Sequence, residues 1–169
     1  MLTVSAHLIC ELGGCDTTLI GDVEVVKAAL LRAATDSNVT VLNAYFHRFS
    51  LCGVSGVLCI AESHISVHTW PESGYAAIDV FTCGDIAMPH KAIEVLGKAF
   101  RAQHIELTEL SRGIPQGAGH FGHQVRETPA VAFGMSALRP AYSVGTQAPT
   151  VGLKRTPSSL NLGPLSSSS

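Results

Sequence analysis

The chain has 169 residues, enough for one folded domain and an appendage, and 46% of them are apolar, so a sizeable core can form. A net charge of −2 with only 14% charged residues gives no electrostatic reason to expect a nucleic-acid partner. The five cysteines (Cys10, Cys15, Cys52, Cys59 and Cys83) form no C-x-x-C pair and cannot all be disulfide-bonded, which favours a reducing cytosol over a disulfide framework.

The opening run alternates, with Leu2, Val4, Ala6, Leu8, Cys10 and Leu12 on one face and Thr3, Ser5, His7 and Glu11 on the other, as in a half-buried strand. His7 and Glu11 inside that run, and no basic residue before it, argue against a signal peptide or a membrane span. Gly13 to Asp16 breaks the pattern. Asp22 then reads as a helix N-cap ahead of Val23, Val26, Leu30 and Ala33 or Ala34 at helical spacing, and Arg32 near the end suits the dipole. Val39 to Phe49 reads as a strand, Gly53 to Gly56 as a turn, and Val57 to Ala61 as a short apolar strand. Two further strands, His64 to Thr69 and Tyr75 to Thr82, flank a turn with Pro71 and Gly74 where turn chemistry wants them. A second helix is expected from about Pro89, burying Ile93, Leu96 and Phe100, and Ile105 to Leu110 closes the core as a strand. This order predicts an α+β fold, a two-layer sandwich with a mainly antiparallel sheet and helices packed on one face.

Composition changes after Arg112. Residues 1–112 read as the domain, and 113–169, rich in Gly, Pro, Ser and Thr, read as a low-complexity disordered tail without chemistry. His120 and His123 within it are expected to be solvent-exposed and not metal ligands.

The two strands around the turn carry the chemistry. With Trp70 opposite Tyr75, His68 meets Ala77 and Glu62 meets Cys83, and opposed residues share a face. Alternation then gathers His64, Ser66, His68, Ala77, Asp79, Phe81 and Cys83, with Cys83 beside the Glu62–Ser63 bond; a slip of one residue would undo this. Parity puts Ser63 on the other face, so a bend or bulge is required there. Taken singly, each residue has a blander reading. Ser63 is a strand-end hydroxyl, His68 a core histidine bonded to a carbonyl, Cys83 a small buried hydrophobe, and Trp70 and Phe81 packing groups. His64, His68 and Cys83 lack the paired spacing of a structural zinc site, so no metal is expected.

Read together, the residues say more. His47-Arg48-Phe49, Gly53-Val54-Ser55-Gly56 and the run ESHISVHTWPESGYAAIDVFTCG from Glu62 to Gly84 resemble the prokaryotic form of S-adenosylmethionine decarboxylase. The likeness extends over roughly Leu2 to Gly113, including Cys15-Asp16 and the spacing of both helices. It departs at Ser5-Ala6, where the family typically has Gly-Arg, and at Ser73, where an aromatic often precedes the turn glycine.

The resemblance implies that Ser63 Oγ attacks the Glu62 carbonyl and converts the amide to an ester, with the Ser55 hydroxyl donating to the tetrahedral anion. His68, a usable neutral base given a free pKa of about 6.5, would remove the Ser63 Cα proton. Elimination would end the shorter chain at Glu62, and the dehydroalanine at 63 would hydrolyse to a pyruvoyl group and ammonia. This self-derived cofactor would hold the substrate amine as a Schiff base, so that no external cofactor is needed. Cys83, with a free thiol pKa of about 8.5, would return the proton after CO2 leaves. Phe49 and His68 would stack on adenine, and Glu72 would accept the ribose hydroxyls.

The implied enzyme is a cytoplasmic homodimer of cleaved protomers with active sites at their junction. It would act on S-adenosylmethionine to supply the aminopropyl donor for spermidine. Two alternatives stay open at this point. One is pyruvoyl-dependent arginine or ornithine decarboxylation on the same scaffold, which Ser5-Ala6 and Ser73 permit and Phe49 and Glu72 oppose. The other is an uncleaved, non-catalytic binding homologue.

Overall fold

The first strand, β1 (Ser5–Gly13), buries Leu8, Cys10 and Leu12 and turns His7 and Glu11 outward, as its alternation requires. A computed structural model describes residues 5–84 and 87–133 of the chain. Within it β1 is followed by α1 (Thr17–Gly21), α2 (Val23–Asp36), β2 (Val41–Arg48), β3 (Val54–Ile60) and β4 (Ser63–Trp70). A 3-10 turn (Pro71–Ser73), β5 (Tyr75–Cys83), α3 (Pro89–Ala99), β6 (His104–Gly117) and β7 (His120–Ala132) complete it. The strands form one sheet in the order β2-β3-β4-β5-β1-β6-β7, with every neighbouring pair antiparallel.

Helices α2 and α3 cover one face of that sheet. Val26, Leu30, Ala33 and Ala34 of α2, with Ile93 and Leu96 of α3 and Phe100 just beyond it, are buried against Leu8, Leu58, Ile65, Ile78 and Ile105 of the strands. Each such large side chain contributes about 1.5–3 kcal/mol by leaving water. This is the expected two-layer α+β sandwich. Asp22 caps α2 by accepting from the Glu24 and Val25 backbone N–H groups at 2.8 and 3.4 Å. Asp16 caps α1 in the same way, through the Thr18 and Leu19 N–H groups. Five residues are too few for a helical period to register, so α1 leaves no mark in the sequence beyond that cap.

Two expectations are corrected. The β2–β3 turn ends at Gly53, the residue that takes φ 91°, and Ser55 and Gly56 belong to β3, where Ser55 pairs with both His47 and His68. Residues 113–132 form strands in place of a disordered tail. β6 continues to Gly117, and β7 returns along it, pairing Leu110 with Val125 and Ile105 with Val131. Glycine content misled here, because Gly117 and Gly119 take φ of 89° and 79° at the hairpin tip, a strand device and not a sign of disorder. β7 is tied down at its far end as well: Phe133 donates its N–H to the Gln103 carbonyl at 2.8 Å. Its ring lies so close to Gly97 of α3 that a Cβ there would come within 2.1 Å of it. Leu2 and Val4 of the first strand and residues 134–169 of the expected tail lie outside the described residues. Among the described residues no helix is long and apolar enough to cross a membrane.

Candidate active site

β4 and β5 pair with Trp70 opposite Tyr75, His68 opposite Ala77, His64 opposite Phe81 and Ser63 opposite Thr82. Ile65, Val67, Thr69, Ile78, Val80 and Thr82 point into the core. The other face, carrying His64, Ser66, His68, Asp79 and Phe81, is uncovered by helices. Polar chemistry is therefore displayed on the open side of the sheet, where no core packing competes for it.

The Glu62–Ser63 bond lies at one end of this face. Ala61 and Glu62 connect β3 to β4, and Ile60 pairs with Ser63. Ser63 takes φ 147°, a conformation L residues rarely adopt, at a strain on the order of 1–3 kcal/mol. The backbone distortion that parity demanded is thus on Ser63 itself. Its hydroxyl lies 3.3 Å from His64 Nδ1. The Glu62 carbonyl oxygen accepts two hydrogen bonds from Cys83, one from the backbone N–H at 3.1 Å and one from the thiol at 3.0 Å. The Glu62 carboxylate accepts the Thr40 N–H at 3.0 Å and pins the turn. Donors are thereby aimed at the oxygen that would gain charge if the Glu62 carbonyl carbon were attacked.

A second group lies further along the sheet. Ser55 Oγ and His68 Nδ1 are 2.7 Å apart, across the β3–β4 ladder. Phe49, Cys52, Ser55, His68, Trp70 and Glu72 line an open cavity of about 440 Å³, within the usual size range for small-molecule sites. Phe49 is held by its N–H on the Gly53 carbonyl at 3.0 Å, and Trp70 stacks on Tyr75 with ring centres 5.0 Å apart. The Cys52 thiol donates to Glu72 at 3.0 Å, which holds the Glu72 carboxyl below the usual carboxylate range and raises the thiol above its own.

The structure therefore brings Phe49, Ser55, His68 and Glu72 together, and separately Glu62, Ser63 and Cys83. It does not join the two groups within one copy of the chain. Ser63 and His68 are five residues apart on one strand, a separation of about 16 Å. Ser55 sits opposite His68 and is equally far from the Glu62 carbonyl.

Sequence reasoning placed Ser66, Asp79 and Phe81 on this face but missed the third cluster, which they form with His7 and Arg112. His7 Nε2 lies 3.3 Å from Asp79 Oδ1, Ser66 donates to the other Asp79 oxygen at 3.3 Å, and Arg112 lies 4.7 Å over the Phe81 ring and 3.5 Å from His7 Nδ1. Arginine can only donate, so His7 Nδ1 accepts and Nε2 carries the hydrogen directed at Asp79. These residues come from four strands, and no spacing rule joins them. Cys52 was missed for a similar reason, being a loop residue whose partner, Glu72, lies beyond two strands. Among the described residues no three His, Cys, Asp or Glu side chains are placed to hold a metal ion.

The fold, the strained Ser63 after Glu62 and the groups gathered on the open face make an α+β-sandwich protein with a candidate catalytic face, and the family model described as S-adenosylmethionine decarboxylase matches residues 6–113. The chain is 47% identical over 125 residues to the S-adenosylmethionine decarboxylase proenzyme of Pyrococcus abyssi, covering 74% of this chain and 90% of that one. It is 42% identical over 131 residues to the proenzyme of Acidithiobacillus ferrooxidans, covering 78% and 98%. The crystal structure of the adenosylmethionine decarboxylase from Aquifex aeolicus superposes with a TM-score of 0.64 at 32% identity, covering 71% of this chain and 99% of that one. The chain belongs to the S-adenosylmethionine decarboxylase family.

Proposed function

We propose that the chain cuts itself between Glu62 and Ser63, converts Ser63 to a pyruvoyl group, and decarboxylates S-adenosylmethionine, supplying the aminopropyl donor for spermidine. The observation that carries this reading is the Glu62 carbonyl, held by both Cys83 donors next to a strained Ser63. Those donors stabilise negative charge on the Glu62 oxygen while Ser63 Oγ attacks its carbon, and the strain at Ser63 is relieved when the chain parts. The residues fit the group that would form. It would stand at the start of β4 with the Cys83 thiol on the adjacent strand.

Once formed, the pyruvoyl group supplies the electron sink for loss of CO2. The protein's residues do the rest. His68, its ring fixed by Ser55, takes the Ser63 Cα proton during maturation. Cys83 returns a proton to the substrate carbon. Phe49 and the His68 ring hold the adenine, Glu72 accepts the ribose hydroxyls, and its negative charge suits a substrate carrying a sulfonium.

Because the two groups are about 16 Å apart on β4, one copy cannot bring His68 to Ser63. We infer a homodimer in which the open sheet faces meet, so that Ser63 and Cys83 of one copy join Phe49, Ser55, His68 and Glu72 of the other. The exposed Ile9, Tyr45, Val57 and Trp70 supply apolar surface on that face. A cytoplasmic enzyme is the reading that its five free cysteines favour.

Intact-mass measurement tests the proposal. Two fragments are expected, 1–62 and 63–169, whose masses together exceed the uncut chain by one water less one ammonia. Folded protein that keeps an ordinary serine at 63 rules the proposal out. CO2 should be released from carboxyl-labelled S-adenosylmethionine and not from arginine or ornithine, which have no use for the Phe49–Glu72 cavity; the opposite pattern assigns the enzyme to those amino acids.

A further inference from the structure

We infer that His64 is the base that takes the hydroxyl proton of Ser63 in the first step of self-cutting and then hands it to the departing nitrogen. The inference rests on the self-cutting reading above and assigns it a residue. A serine hydroxyl is a weak nucleophile until a neighbouring base accepts its proton. His68 cannot serve this step within one copy, since it lies about 16 Å along β4 and its Nδ1 is engaged by Ser55. His64 Nδ1 lies 3.3 Å from Ser63 Oγ, and bonds of this kind are commonly long before the reacting geometry closes. Adjacent residues of a regular strand point to opposite faces. Here φ 147° at Ser63 breaks that rule and lets the two side chains meet.

The His64 ring is also held in place. It pairs across the sheet with Cys59 and Phe81 and packs edge-on to Phe81 at 5.8 Å and to His7 at 6.3 Å. His7 is in turn fixed between Asp79 and Arg112, and Arg112 lies over Phe81. The third cluster thus becomes a support for one imidazole, something a merely structural histidine at a strand end would not need.

The step balances without any outside reactant. The Ser63 Oγ–H bond breaks, its proton passes to His64 Nδ1, and Oγ bonds to the Glu62 carbonyl carbon while the Cys83 N–H and thiol hold the oxyanion. The carbon–nitrogen bond then breaks, and the Ser63 nitrogen takes the proton back from Nδ1. An ester and a free amine remain, with His64 neutral again. Every group required belongs to one copy of the chain, so ester formation does not wait for the residues that a second copy supplies.

The test reads the ester and not the finished enzyme. Full-length His68→Ala protein should accumulate a Glu62–Ser63 ester, which neutral hydroxylamine cuts and ordinary amides resist. Adding His64→Asn or His64→Gln to that chain should slow ester accumulation at least about 100-fold, within the range typical of general base catalysis, with a melting curve like that of Ser63→Ala. Undiminished ester formation in both double variants overturns the assignment, and so does loss of the melting transition in both, which would make His64 a folding residue. Wild-type protein that is cut normally alongside such a result leaves the self-cutting reading standing. Wild-type protein that never forms the ester removes both.

Discussion

At the scale of single residues, the contact between Cys52 and Glu72 sets the charge in the proposed nucleoside cavity. A free glutamic acid titrates near 4.3, and the thiol hydrogen bond holds Glu72 below its ordinary value, so it is anionic throughout neutral pH. Binding that depends on this anion is therefore present above the free value and lost only as pH falls through the lowered one. Cys52→Ala should move the acidic rise of KM for S-adenosylmethionine to higher pH, and identical KM–pH curves would show that the thiol does not act on the carboxylate. Glu72→Ala should raise KM roughly tenfold or more at pH 7, since the charge-assisted hydrogen bonds from the ribose hydroxyls lose their acceptor. Cys52 keeps its proton, because the same contact raises the thiol, so it is not a ready nucleophile.

At the scale of elements, the β2–β3 loop decides whether that cavity exists. Gly53 takes φ 91°, and a Cβ there would lie 2.5 Å from the Thr69 backbone oxygen, which has no freedom to retreat. The Thr69 hydroxyl both accepts the Val54 N–H and donates to the Ile20 carbonyl, each at 2.8 Å, tying the loop to α1. Gly53→Ala should destabilise the fold by at least about 2 kcal/mol and lower the midpoint of thermal unfolding by about 10 °C. It should also raise KM through the displaced Phe49. An unchanged midpoint in a melting scan would refute this account of the loop. Helices α2 and α3 were legible in the sequence because the Asp22 cap of one, the first-turn Pro89 of the other and the 3.6-residue repeat of both are local signals. The β4–β5 register was legible because Pro71 and Gly74 fix a short turn. α1 and β7 were not: one is too short for its period to repeat, and the other is paired into the sheet by contacts with β6 that composition does not record.

At the scale of the whole molecule, the division of functional groups into two clusters makes a single copy incomplete. Chains carrying Ser63→Ala and chains carrying His68→Ala should each remain uncut when made alone. Made together, they should cut the His68→Ala chain, because a mixed pair joins an intact Ser63 from one copy to an intact His68 from the other. Denaturing electrophoresis with a tag on one chain reads the outcome. Verified mixed pairs that stay uncut would remove the two-copy site.

The amino-acid sequence by itself determined the sandwich, the pairing of β4 with β5 and the face that carries histidine and thiol, whereas the Glu62–Ser63 bond was marked only by its resemblance to the family. Alternation, caps and turn residues act over a few positions, so a linear reading captures them. Only the tertiary structure decided that Cys83 places two donors on one carbonyl, that Ser63 meets His64 through a distorted backbone, and that His68 stands a strand's length from the Ser63 whose Cα proton it was expected to remove. Those outcomes depend on which distant residues the sheet makes neighbours, and adjacency in space between strands far apart in the chain is set by the packed core as a whole.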